Sequence, residues 1–270
     1  LLRAARMASV NRRWIVAVAI AWALVVAGLA YYSSRNDPPT SRDQTTIADG
    51  LPVVDEALGR VAAALDPATS VPALGGYTRT DSSCRVTSAR EGTRFERVLL
   101  VYVKKDAEPA VLERVQAALP PAYKSHLVSG ADTHLLTADA GHFVTLRGAV
   151  VQPGQVRFTA DTGCRVQDAA VQEATPQSQN ANRAPVQAVL DTLKQSASQW
   201  RTHRITCPGG GTLWTVEAVT GGDGAAARGT VPATAVVLDE PKLFAYRAGE
   251  AGVALRADGD GLRVTSTAGC

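Results

Sequence analysis

Aromatic side chains are scarce in this sequence: Phe, Trp and Tyr together make up 5% of 270 residues. Histidine and cysteine occur four times each and methionine once. These shortages bound the chemistry. The cysteines stand at Cys84, Cys164, Cys207 and Cys270, and no two have the CxxC spacing of a zinc ribbon or redox pair. No metal site and no cofactor is therefore expected. The sequence has no GxSxG elbow, no HExxH, no SxxK and no Walker A loop. His126, His134, His142 and His203 have no carboxylate at a spacing that would orient them, and they read as surface or core residues. Positive charge is also short: a net +3, without a local basic run, speaks against a nucleic-acid partner. No catalytic residue is assigned.

Two glycine-rich stretches invite a sharper reading and lose it. Pro208-Gly209-Gly210-Gly211-Thr212 lacks the Lys of a phosphate loop and leads into a strand, so it reads as a hairpin connection. Asp258-Gly259-Asp260-Gly261 carries too few ligands for a calcium loop and reads as a turn.

What the chain does have is one long uncharged run. Trp14 to Tyr32 reads WIVAVAIAWALVVAGLAYY. As a helix it would span about 28 Å, close to the hydrocarbon thickness of a bilayer. Trp14 stands at one end and Tyr31 and Tyr32 at the other, as interfacial aromatics do. Arg3, Arg6, Arg12 and Arg13 precede it, which predicts a cytoplasmic N-terminus and an exported remainder. The alternative is a cleaved signal peptide ending at Gly28-Leu29-Ala30, which would make the protein secreted. The sequence opens on Leu1 and its one methionine is Met7, which points to an unusual start or to a start at Met7.

The expected layout is a cytoplasmic tail over 1–13, a transmembrane helix over 14–32 and a polar stalk over 33–50. Two α+β domains follow at 51–164 and 185–270, with a Gln/Asn-rich linker over 165–184 between them. The two halves share an order. Each opens on an amphipathic helix: Val54, Leu58, Val61 and Leu65 fall on one face of the first, and Val186, Val189, Leu190, Leu193 and Trp200 on one face of the second. Pro52 and Pro185 lie near the helix starts. A cysteine follows each helix, then a Gly-Thr-x-aromatic entry to a strand, GTRFERVLLVYV or GTLWTVEAVT. Each half ends in a hairpin and a cysteine, VRFTADTGC or LRVTSTAGC. This order suggests an internal repeat. Each domain is expected to be an antiparallel sheet with helix on one face. The first copy adds a helix near Glu108 to Leu119; the second has the loop-like GGDGAAARG in its place.

Export makes disulfides the default, and the repeat selects Cys84 with Cys164 and Cys207 with Cys270. Closing loops of that length contributes roughly 4–4.5 kcal/mol apiece as an upper estimate. Arg85, Arg90, Arg94 and Arg97 surround one expected hairpin and are weak candidate contacts for an anionic ligand, though Glu91 and Glu96 interrupt them and a solvated strand edge is the favoured explanation. Arginine outnumbers lysine 23 to 5, a bias of GC-rich bacterial genomes.

The expected function is non-catalytic: binding or scaffolding by a single-pass protein of the bacterial plasma membrane, with its bulk outside the cytoplasm. Its expected partners are the membrane and an envelope protein or polymer. Two alternatives stand beside it. One is an anchored or secreted envelope hydrolase with a dispersed site. The other is a regulatory ectodomain that partners a membrane sensor or transporter.

Overall fold

The computed structural model describes residues 2–36, 46–87, 90–130, 133–168, 170–171, 180–222, 224–259 and 261–270. Half of the expected stalk, residues 37–45, and most of the Gln/Asn-rich stretch of the expected linker, residues 172–179, lie outside the described residues, as does Asp260 of the expected turn.

Two compact units make up the chain, Leu1–Asp43 and Gln44–Cys270. The first holds helix α1, Leu2–Asn36. Within it Trp14–Ser33 has a mean hydropathy of 2.3 and is long and apolar enough to cross a membrane; residues 14–32 are exposed all round. A helix with no polar face has nothing to gain from water and is suited to lipid or to removal as a signal.

The second unit opens with α2, Ile47–Ala64. Strands β1 (Ser70–Thr87) and β2 (Arg90–Val103) follow, then α3 (Glu108–Ala118) and strands β3 (His126–Ser129), β4 (His134–Asp139), β5 (Thr145–Gln152) and β6 (Gln155–Asp161). Then the series runs again: α4 (Asn180–Leu193), β7 (Gln199–Thr206), β8 (Thr212–Gly221), α5 (Ala225–Arg228), β9 (Val236–Glu240), β10 (Leu243–Ala248), β11 (Ala251–Asp258) and β12 (Gly261–Ala268). The first sheet has the order β1-β2-β6-β5-β4-β3 and the second β7-β8-β12-β11-β10-β9. Every neighbouring pair is antiparallel. Adding six to each strand number of the first sheet reproduces the second. Pro52 and Pro185 are each the sixth residue of their helix. The second half also carries a one-turn helix, α5, where its Ala-rich loop was expected.

Strand alternation divides the core into layers. One face of the first sheet, with Leu99, Val101, Phe158 and Leu146, packs on Val54, Leu58 and Val61 of α2 and Leu112 and Val115 of α3. One face of the second, with Val216, Val253, Leu255 and Val264, packs on Val186, Val189 and Leu190 of α4. Each of these apolar side chains contributes about 1.5–3 kcal/mol on burial. Between the sheets a third cluster joins Val71, Ala73 and Tyr102 to Leu238, Leu243, Ala245 and Ala254. The two halves thus share an apolar seam within one compact unit.

Trp200 does not sit on α4. Lys194 takes a left-handed φ of 53° just past Leu193, which ends the helix, and Trp200 stands in β7 instead. Residues Arg165 to Asp168, expected as linker, fold back under the start of α2. Ile47 N–H donates to Val166 O at 3.1 Å and Ala48 N–H to Asp168 Oδ1 at 3.3 Å. A carboxylate there satisfies an orphan donor and sits well against the helix dipole. Arg165 is fully buried, and its guanidinium donates to the carbonyls of Thr162 and His142. It packs where a Cβ on Gly50 would stand, so a side chain at position 50 would have to displace Arg165.

Both cysteine pairs are bonded. Cys84–Cys164 has its Cα atoms 5.7 Å apart and Cys207–Cys270 5.9 Å apart. The first lies beside a backbone pair that fastens the end of the half to β2, in which Thr93 and Arg165 exchange N–H···O bonds of 2.7 and 2.9 Å. The second ties the chain after β12 to the hairpin that follows β7.

Candidate functional site

The second unit holds a cleft of about 890 Å³ between α2 and β7. Its α2 wall is Ala48, Leu51, Pro52, Asp55, Glu56 and Arg60, spaced three and four apart along one side of the helix. Its other wall is the run Thr202 to Pro208, and Tyr77 and Arg97 of β1 and β2 form the floor. Helix and strand meet at one end, where a Cβ added to Gly59 would stand 2.2 Å from Thr206 O. Any larger residue at 59 would force α2 away from β7.

Polar groups on the floor hold one another. Arg97 Nη1 lies 2.8 Å from Asp55 Oδ1, and its Nε donates to Gly75 O at 3.0 Å. Tyr77 OH donates to the same carboxylate oxygen at 2.6 Å. The Arg97 guanidinium also lies 4.6 Å from the Tyr77 ring centre, in cation–π range. The register explains the meeting: Tyr77 faces Arg97 across the β1–β2 ladder, after the bulge between Leu74 and Tyr77. At the mouth, Arg60 Nη2 donates to Glu56 Oε1 at 2.7 Å. Arg204 lies over Trp214 at 5.5 Å, and His203, which also lines the cleft, is largely buried. Pro52 has no N–H to offer the Ala48 carbonyl four residues back.

Burial, and then the Asp55 carboxylate, push the Tyr77 phenol above its ordinary value of 10.0. A raised phenol pKa means the folded protein keeps its proton where the unfolded chain releases one. Stability is then full below about pH 10 and falls as pH rises beyond it. Tyr77→Phe is expected to cost about 1 kcal/mol at pH 8, the worth of a hydrogen bond to a charged group in a partly wet site. It should also flatten the loss between pH 8 and 10.5. Burial likewise raises Tyr102, Tyr123 and Tyr246, so part of the alkaline loss stays in the variant. Urea unfolding of both proteins at the two pH values measures this, and parallel losses would remove Tyr77 from the account.

Arg94 and Arg97, two of the four arginines proposed from sequence, do not share a surface. Arg94 and Arg97 are an odd number of residues apart on β2 and point to opposite faces. Arg94 pairs with Asp161, Arg97 with Asp55, and Arg85 is exposed opposite Glu91. The side chain of Arg90 lies outside the described residues. The histidines also scatter: His203 borders the cleft, His126 and His134 lie in β3 and β4, and His142 sits in the β4–β5 turn with a φ of 50°. Among the described residues no group of three or more His, Cys, Asp or Glu could hold a metal ion.

Asp55, Tyr77 and Arg204 were not candidates from sequence. Only Asp55 left a local trace: it directly follows Val54 of the apolar stripe, so it borders the packed face rather than the open one. No protein-family model matches the chain, and no curated protein or solved structure matches it either.

Proposed function

We propose that this chain is a membrane-anchored binding protein of a bacterial cell envelope. Its N-terminus lies in the cytoplasm, α1 is retained as the anchor, and two similar α+β halves outside present the α2–β7 cleft to a partner. The apolar run of α1 and the two disulfides support export. The cleft carries the binding reading. Its floor charges are fixed in place by one another before any ligand arrives, so little ordering cost remains for association.

The reading is tested with the full chain in its own membranes. A photoreactive benzoylphenylalanine is placed at Leu51 inside the cleft, or at Val151, exposed on β5. Irradiation is expected to give a discrete adduct from Leu51 alone. No adduct, or the same adducts from both positions, would overturn the assignment of the cleft. Retention of the chain in carbonate-washed membranes, with residues 14–32 intact by mass spectrometry, checks the anchor.

A further inference from the structure

We infer that the free edge of β7 takes up an extended peptide segment of a partner protein, which adds as one more strand within the cleft and sets an acidic side chain against Arg204. This deepens the binding reading and rests on it.

The wall itself makes the case. A strand that turned a face to the cleft would supply every second residue. Here Thr202, His203, Arg204, Ile205, Thr206 and Cys207 all line it in succession, so the strand is seen edge-on. The hydrogen-bond register says which main-chain groups that edge carries. Cys207 N–H donates to Gly211 O at 2.7 Å, and Thr206 stands opposite Thr212. Bonded and unbonded pairs alternate along an antiparallel ladder. Ile205 and His203 are therefore bonded to β8, while Thr206, Arg204 and Thr202 direct N–H and C=O away from it. The close approach of Thr206 O to Gly59 is independent proof of that direction.

Thr206 is closed off by α2. Beyond it Thr202 and Arg204 still line the cleft, and among the described residues no hydrogen bond from another element reaches their main chain. These residues offer donors and acceptors at a two-residue period of about 6.8 Å, the repeat of an extended peptide. Such a chain satisfies them without rearrangement, as in other β-strand additions. A glycan or lipid headgroup would leave most of the edge unmatched.

Charge selects the segment. Asp55 is held by Arg97 and Glu56 by Arg60. Arg204 stacks on Trp214 and, among the described residues, has no carboxylate partner. A carboxylate in the added strand would complete it.

The full chain, in lipid nanodiscs, is probed with phage-displayed random dodecapeptides. Enriched peptides are then synthesised plain and with N-methyl groups on either alternate set of amides. The expected results are slowed hydrogen exchange at the Thr202 and Arg204 amides, and at least tenfold weaker binding when one alternate set is methylated. Thr202→Pro removes an outward N–H without touching a β8 bond and is expected to weaken binding tenfold or more. Arg204→Glu should shift the selected sequences from Asp and Glu to Lys and Arg. Enrichment of no peptide, or affinity indifferent to methylation of either set on the unaltered protein, would overturn the inference whatever Thr202→Pro does to folding. Failure here is separable from failure of the binding reading. A Leu51 adduct that is a glycan or small molecule leaves the cleft a binding site and removes the peptide, whereas no adduct removes both.

Discussion

The full chain carrying C84S/C164S is expected to unfold with a stability lowered by up to about 4.5 kcal/mol, and C207S/C270S by up to about 4.3 kcal/mol, when each is compared with the parent in urea under oxidising conditions. The bridges close 80 and 63 residues. The main effect is on the unfolded chain, which regains the freedom that the closed loop had removed. The native effects should differ. Thr93 and Arg165 hold the first junction through two backbone bonds. Residues 84–87 and 90–93 are therefore expected to keep their amide protection in C84S/C164S. Among the described residues no comparable backbone exchange secures the second junction. Gly269 lies against Thr212 O, but beyond β12 the disulfide is the chief tie, and Cys207 itself lines the cleft. C207S/C270S should accordingly expose the β7–β8 hairpin to hydrogen exchange well before global unfolding. A loss below 1 kcal/mol for both variants would show that the unfolded chain is already compact enough to make the closures nearly free.

Asp55→Ala is expected to cost about 3 kcal/mol by the same measurement. The substitution strips the carboxylate from the Arg97 guanidinium, whose side chain is 3% exposed, and removes the acceptor of Tyr77 OH. Breaking a buried ion pair from one side costs 3–5 kcal/mol. The lower end applies because the Asp55 side chain is 31% exposed, so water reaches its place. The reverse change should be milder. Arg97→Met leaves a carboxylate that faces the cleft and still accepts from Tyr77, and its methylene stem keeps most of the packing. About 1–2 kcal/mol is expected, the range of a lost charged hydrogen bond. Equal costs for the two single variants would mean that the pair is as wet as a surface ion pair. The Asp55 variant should also loosen α2 from β1 and so widen the cleft, which hydrogen exchange along residues 52–60 would report.

Local patterns reached far into this fold. The 3.6-residue spacing of Val54, Leu58 and Val61 marks a helix because such residues must share a side, and they are the buried side of α2. The same logic overran its limit at Trp200. Its spacing from Leu193 suits a helix, but the left-handed turn at Lys194 intervenes, and no apolar pattern records a backbone reversal. Arg94 and Arg97 divide for a related reason. Four arginines within thirteen residues look clustered along the chain, yet a strand sends odd and even positions apart, and Asp161 holds Arg94 on one face while Asp55 holds Arg97 on the other. The alanine-rich loop held α5 because a single turn is too short to show a period.

By itself the sequence determined what depends on neighbours in the chain: one apolar helix long enough for a bilayer, two runs of helix, strands and hairpin in the same order, and four cysteines at the ends of those runs. The tertiary structure alone decided the cleft. Asp55, Tyr77, Arg97 and Arg204 come from α2, β1, β2 and β7. They meet because α2 packs on the first sheet while touching the edge of the second at Gly59, an approach set by the fit of two surfaces and by the absence of one methyl group. Which edge of a sheet stays open is equally nonlocal, since it depends on what fails to pair with it.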